Sequence, residues 1–128
     1  MSGPSKRPLS PHLQVYKPQM TSVMSIFHRA SGVALAIGTV VLVWILVAAA
    51  SGAAHFDYVI GLLGTPIGRL ALFGWSFALY YHMCNGVRHL FWDMGYLFKL
   101  KNAFAAGWLV LAVATLLTLA TWCCAYYY

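Results

Sequence analysis

Three stretches of this chain carry no charged side chain, and they limit what it can fold into more than any other feature: Ala30 to Ala54, Leu70 to Val87, and Asn102 to Tyr128. Each is close to the roughly 20 residues a helix needs to cross about 30 Å of hydrocarbon. Hydrophobic residues make up 62% of the sequence and charged ones 8%, with a mean hydropathy of +0.75, which a soluble domain of this size has no use for. The period-two alternation of a membrane barrel is missing from the runs. The expectation is an all-α membrane protein of three transmembrane helices, at about 24–53, 66–93 and 102–127, forming one domain over 23–128. Residues 1–22 read as a polar N-terminal arm.

The basic residues set the expected topology. Lys6, Arg7, Lys17 and Arg29 precede or open the first span, Arg88, Lys99 and Lys101 lie between the second and third, and only Arg69 lies between the first and second. Counted loop by loop, this places the N-terminus and the second loop on the cytoplasmic side and the C-terminus outside. The net charge of +6 follows from that asymmetry and from contact with anionic membrane lipid, so no nucleic-acid partner is required. The arm holds Pro4, Pro8, Pro11 and Pro18, which suit neither the apolar core of a secretory signal nor an amphipathic presequence helix. A bacterial inner membrane is therefore the expected location, with the mitochondrial inner membrane the less favoured one.

No nucleotide-binding glycine motif, metalloprotease motif or nucleophile triad occurs, which excludes a self-contained hydrolase, transferase or nucleotide enzyme. Cys84, Cys123 and Cys124 have no metal-ligand spacing and read as packing residues. The chemistry concentrates instead in two places. His82 lies inside the second apolar run, about 9 Å along a helix from Arg88. An imidazole at that depth must be hydrogen-bonded, face a polar cavity or bind a metal, because unsatisfied nitrogens in hydrocarbon cost several kcal/mol. Haem ligation is one answer, and a hydrogen bond to a neighbouring helix is another. His89 projects almost over His82, with Gly86 between them leaving room for a flat group. About 10.5 Å of helical rise separates the two imidazoles, so they cannot share one iron.

The second place is Ser25-Ile26-Phe27-His28-Arg29-Ala30-Ser31-Gly32 at the entry to the first span. On a helix Ser25, Arg29 and Gly32 share a face, with His28 beside them. A hydroxyl, an imidazole and a guanidinium at a membrane interface suit a quinone or a haem propionate. The plainer alternative has Ser25 capping the helix while Arg29 snorkels to headgroups.

These two segments, together with Arg7-Pro8-Leu9-Ser10-Pro11-His12-Leu13 and Tyr16, and the longer run His82-Met83-Cys84-Asn85-Gly86-Val87-Arg88-His89-Leu90 with Asp93, resemble the three signatures of the cytochrome b556 subunits of succinate dehydrogenase. The resemblance runs from about residue 7 to the C-terminus, in the same order and spacing. It implies one of two small membrane anchors that hold a flavoprotein and an iron-sulfur subunit where electrons from succinate reach ubiquinone. The fold it implies is half of a heterodimeric haem-binding helix bundle.

The resemblance further implies that His82 is an axial ligand of haem b, the other ligand coming from the second anchor subunit. His28 and Arg29, with His89, stand at the positions of haem-propionate contacts, and Ser25 with Arg29 at those of quinone contacts. Asp93, the acid closest in sequence to these residues, is a candidate for proton entry or for pairing with Arg88 or Arg29. Two alternatives stand beside this reading: the anchor of a quinol:fumarate reductase running the same redox chain in reverse, and a purely structural anchor without haem.

Overall fold

A computed structural model describes residues 19–127, which form four helices: α1 (Met20–Ser51), α2 (Ala53–Leu63), α3 (Pro66–Asp93) and α4 (Leu100–Tyr127). No strand occurs among the described residues. The arm motif from Arg7 to Tyr16 lies outside them. The arm ends sooner than its sequence suggests, since α1 is already formed at Met20. Likewise α4 runs back through Lys101 to Leu100. Charges at a membrane surface end the hydrocarbon-spanning part of a helix without ending the helix itself.

The main departure from the three-helix expectation is α2. Gly52, with φ 115°, breaks the first apolar run between α1 and α2, a backbone conformation that side chains with a Cβ rarely adopt. Thr65 then starts α3: its hydroxyl accepts the Gly68 backbone N–H at 3.2 Å, and Pro66 occupies the first helical position, where no N–H is needed. The axes of α2 and α3 meet at 79°. Helices α1 and α4 are each long and apolar enough to cross a membrane, and α2 with α3 passes the same test only as a bent pair. The polar residues of α3 explain why it falls short alone, since Tyr80, Tyr81, His82, Asn85, Arg88 and His89 all lie in its second half.

Helix α3 touches each of the other three. Its inner face meets α1 and α4 in a small core of Met24, Tyr81, Val110 and Ala114. Apolar driving force is weak between helices already in lipid, so close approach and interhelical hydrogen bonds hold such a bundle. Both devices are present. Gly38 of α1 lies directly against the Trp75 indole of α3, and Gly107 of α4 against the Met24 and Met20 side chains of α1. The Tyr80 hydroxyl pairs with Thr121 Oγ1 at 2.7 Å, and Trp122 Nε1 donates to Ser76 Oγ at 3.3 Å, both joining α3 to α4. Tyr81 donates its hydroxyl to the Met24 carbonyl at 2.9 Å, joining α3 to α1. Much of the remaining apolar surface, including Val33, Ile37, Val40, Leu109 and Leu116, points outward, as lipid or a partner helix requires.

Candidate functional site

The two sequence segments meet where the start of α1 crosses the end of α3. His82 Nδ1 lies 3.1 Å from the His28 carbonyl and 3.0 Å from Ser31 Oγ, while Ser31 itself donates to the His28 carbonyl at 2.8 Å. A carbonyl oxygen only accepts, so the short contact to it calls for the proton on Nδ1. That tautomer leaves the Nε2 lone pair free for a metal, the arrangement by which a hydrogen bond on one ring nitrogen orients the other toward iron. Gly32 makes the approach possible: a Cβ there would come within 3.1 Å of His82 Cε1.

His28 is sandwiched between the other two rings, 4.1 Å from the His82 centroid and 5.2 Å from that of His89. Its Nε2 is buried without a partner among the described residues. A Cβ at Gly86 would meet nothing within 4 Å, so the backbone between His82 and His89 faces open space, as a flat ligand needs. The donor set fits a haem: a histidine with a committed Nδ1 and an available Nε2, a small residue on the same face, and next to it an unpartnered ring nitrogen that, when protonated, a propionate oxygen would satisfy. Among the described residues no cluster of three metal-ligating side chains occurs.

Beside the histidines opens a cleft of about 440 Å³, lined by Thr21, Ser22, Ser25, Ile26, Arg29, His89 and Trp92. It brings together Ser25, Arg29 and His89, three of the residues singled out from the sequence. Gly32, placed on the same helical face by spacing, turns toward His82 instead. The N-cap of α1 is Gln19, with no side-chain cap bond, so Ser25 stands inside the helix and is not its cap. Neither the Ser25 hydroxyl nor the Arg29 guanidinium makes a hydrogen bond or ion pair with the described residues, and both are open to a ligand. Asp93 is exposed at the end of α3, outside the cleft lining, and pairs with neither Arg88 nor Arg29.

The position of Arg88 is the correction here. Read from sequence as an interfacial charge, it is only 3% exposed. Its Nη2 donates to the Ala103 carbonyl of α4 at 3.1 Å and its Nη1 to Asn85 Oδ1 at 3.3 Å, and the guanidinium lies 4.2 Å over the Trp92 ring. Tyr81, Asn85 and Arg88 follow the i, i+4, i+7 spacing of one helix face. That polar stripe was visible in the sequence and marks the side of α3 turned toward α1 and α4. Ser31 and Trp92 carried no comparable signal, since their roles depend on which helices touch.

The family of succinate dehydrogenase/fumarate reductase transmembrane subunits matches residues 3–121 of the chain. The chain is similar to the succinate dehydrogenase cytochrome b556 subunit of Rickettsia prowazekii (strain Madrid E), with 42% identity over 118 residues covering 92% of each chain. The corresponding subunit of Paracoccus denitrificans is 42% identical over 117 residues, covering 87% of this chain and 90% of its own. The succinate dehydrogenase cytochrome b560 subunit of Marchantia polymorpha is 43% identical over 121 residues, 88% of this chain and 86% of its own.

Proposed function

Because this chain belongs to the family of succinate dehydrogenase/fumarate reductase transmembrane subunits, we propose that it is a membrane anchor of a succinate:quinone oxidoreductase, holding haem b jointly with a second small anchor subunit and forming one wall of the ubiquinone-reduction site. The observation that carries this reading is the cleft itself: Ser25 and Arg29 face it with their polar groups uncommitted, next to a histidine with its Nδ1 already bonded.

Succinate oxidation and flavin chemistry would belong to the flavoprotein and iron-sulfur partners. His82 Nε2 would ligate the haem iron, and His28, Arg29 and His89 would meet its propionates. When bound, the haem supplies a one-electron redox centre and ties the two anchors together. Ser25 would donate its hydroxyl to a quinone oxygen. Arg29 would place positive charge where negative charge develops as electrons arrive. Ubiquinone reduced to quinol takes up two protons, and exposed Asp93, next to Trp92 of the cleft lining, would deliver them from the aqueous side.

Helices α1, α3 and α4 would span the membrane, with α2 at the outer face. The basic residues then put the N-terminus, the cleft and the α3–α4 loop on the cytoplasmic side, where the soluble subunits dock. The bacterial inner membrane is the location this reading favours. The relatives above are all named for succinate dehydrogenase, which favours succinate oxidation over fumarate reduction. A haem-free structural anchor accounts less well for the uncommitted Ser25 and Arg29 side chains.

The test is Ser25→Ala and Arg29→Lys, made separately in the intact complex. Each should substantially lower succinate:ubiquinone activity while sparing succinate oxidation by an artificial acceptor that draws electrons upstream. An arginine that only snorkels to headgroups tolerates lysine. Near-normal ubiquinone reduction in both variants, with the complex intact, would remove the cleft from the reaction.

A further inference from the structure

Arg88 is the one buried charged residue among the described residues, and no carboxylate accompanies it. Every partner it has is neutral: the Ala103 carbonyl, Asn85 Oδ1, the Met24 sulfur at 3.7 Å and the face of Trp92. Dipoles of this kind solvate a guanidinium but leave its full positive charge in place. The cluster also has more donors than acceptors, since Asn85 Nδ2 and Arg88 Nε are both buried without a partner. A buried ion without a counter-ion is costly to keep, and its field is screened far less than that of a surface charge.

That field has a defined outlet. Trp92 separates Arg88 from the cleft and is held on three sides. The guanidinium covers its face, the His89 ring meets it edge-on with centroids 5.0 Å apart, and its Nε1 donates to the Leu97 carbonyl at 3.3 Å. The acceptor is itself fixed by the tight turn after α3, where Gly95 has φ 88° and Leu97, unusually for a side chain of its size, φ 67°. With Nε1 already committed, Trp92 offers the cleft an apolar plate and no hydrogen bond. Arg29, by contrast, is exposed, so its charge is the more screened of the two near the cleft.

We propose that Arg88 is a positioning residue for ubiquinone reduction: from behind Trp92 it fixes that wall of the cleft and supplies the buried positive field that stabilises quinone once it has gained an electron. This rests on the cleft being the quinone site. Quinone takes one electron from an iron-sulfur cluster of the partner subunit to become a radical anion, then a second electron with two protons to become quinol. Arg88 transfers neither electrons nor protons, and it favours the first, negatively charged product. A unit charge on the order of 8 Å from such an anion, at an effective dielectric constant of about 20, would change its stability by a factor of about thirty.

The test is a redox titration of the purified complex with ubiquinone-2, following the quinone radical by electron paramagnetic resonance. Arg88→Gln keeps hydrogen-bonding capacity without charge and should destabilise the radical about thirtyfold, which is roughly 90 mV in the midpoint of the first electron. Arg88→Lys keeps the charge and should stay within a few-fold of wild type. Succinate oxidation by the artificial acceptor should be unchanged in both. If Arg88→Gln does not assemble, Arg88→Met with Asn85→Leu removes the charge together with its unsatisfied neighbour and should give the same shift. A wild-type midpoint in the neutral variants, or equal shifts in Arg88→Gln and Arg88→Lys, would overturn the proposal. Ser25→Ala in the same titration separates the two levels of inference. A shift there without one in Arg88→Gln leaves the cleft standing and removes only Arg88, whereas no shift in either removes both.

Discussion

Gly38→Ala should disrupt the α1–α3 seam out of proportion to the single methyl group it adds. A Cβ at Gly38 would fall within the Trp75 indole ring, so either the ring moves aside or the two helices separate. Trp75 Nε1 is buried, and overpacking at such a rigid site belongs at the upper end of the usual cost of about 1–3 kcal/mol. Gly61, in α2, is the control, because a Cβ there meets nothing within 4 Å. At that position the same substitution should gain about 0.4–1 kcal/mol by restricting the unfolded chain. Two chemically identical changes should therefore differ by about 3 kcal/mol or more.

Thermal unfolding of the purified complex, followed by circular dichroism, reads the difference directly. The haem spectrum adds a second readout, since Gly32 and His82 close the same seam nearer the start of α1. Trp75→Leu in the Gly38→Ala background should recover much of the loss by making room for the methyl group. Should Gly38→Ala unfold at the same temperature as Gly61→Ala, the direct contact between Gly38 and the indole would be wrong, and the crossing of α1 over α3 with it.

Ser31→Ala removes one acceptor from His82 Nδ1 but leaves the His28 carbonyl, so haem should be retained and lost roughly tenfold more readily to a competing apoglobin. Tyr81→Phe deletes the buried hydroxyl that binds the Met24 carbonyl, and should lower the stability of the complex by about 1–2 kcal/mol in thermal unfolding without moving the haem spectrum.

How much of this could be read from the sequence differs from element to element. The long helices were legible because a charge-free run of that length has few alternatives in lipid; α1 and α4 start earlier than expected where polar residues at the membrane surface continue the helix, and α1 ends at Ser51, before the expected 53, because Gly52 breaks it. The segment of α2 was set apart by spans expected to end at about 53 and resume at 66, but its helical state was not expected. Its own residues neither fill a membrane span nor look like an ordinary loop. In the site, Ser25, Arg29 and His89 were found from residue type and helical spacing, and they do line one cleft. Arg88 was misread because burial is a non-local property. Nothing near it in sequence shows that the Ala103 carbonyl of α4 receives its guanidinium. The same limit applies to Ser31, whose bond to His82 spans two helices, and to Trp92, whose significance comes from the charge behind it.

The account turns on which histidine holds the haem. The most direct measurement is the low-spin haem signal of the purified complex carrying His82→Ala, compared with the same complex carrying His89→Ala. Loss of low-spin haem, or its conversion to a high-spin form, is expected for His82→Ala, since Nε2 of that ring is the one left free by the bonds at Nδ1. His89→Ala should keep an axial pair and a low-spin signal. The reverse pattern, with low-spin haem abolished by His89→Ala and preserved in His82→Ala, would contradict the assignment and the site built around it.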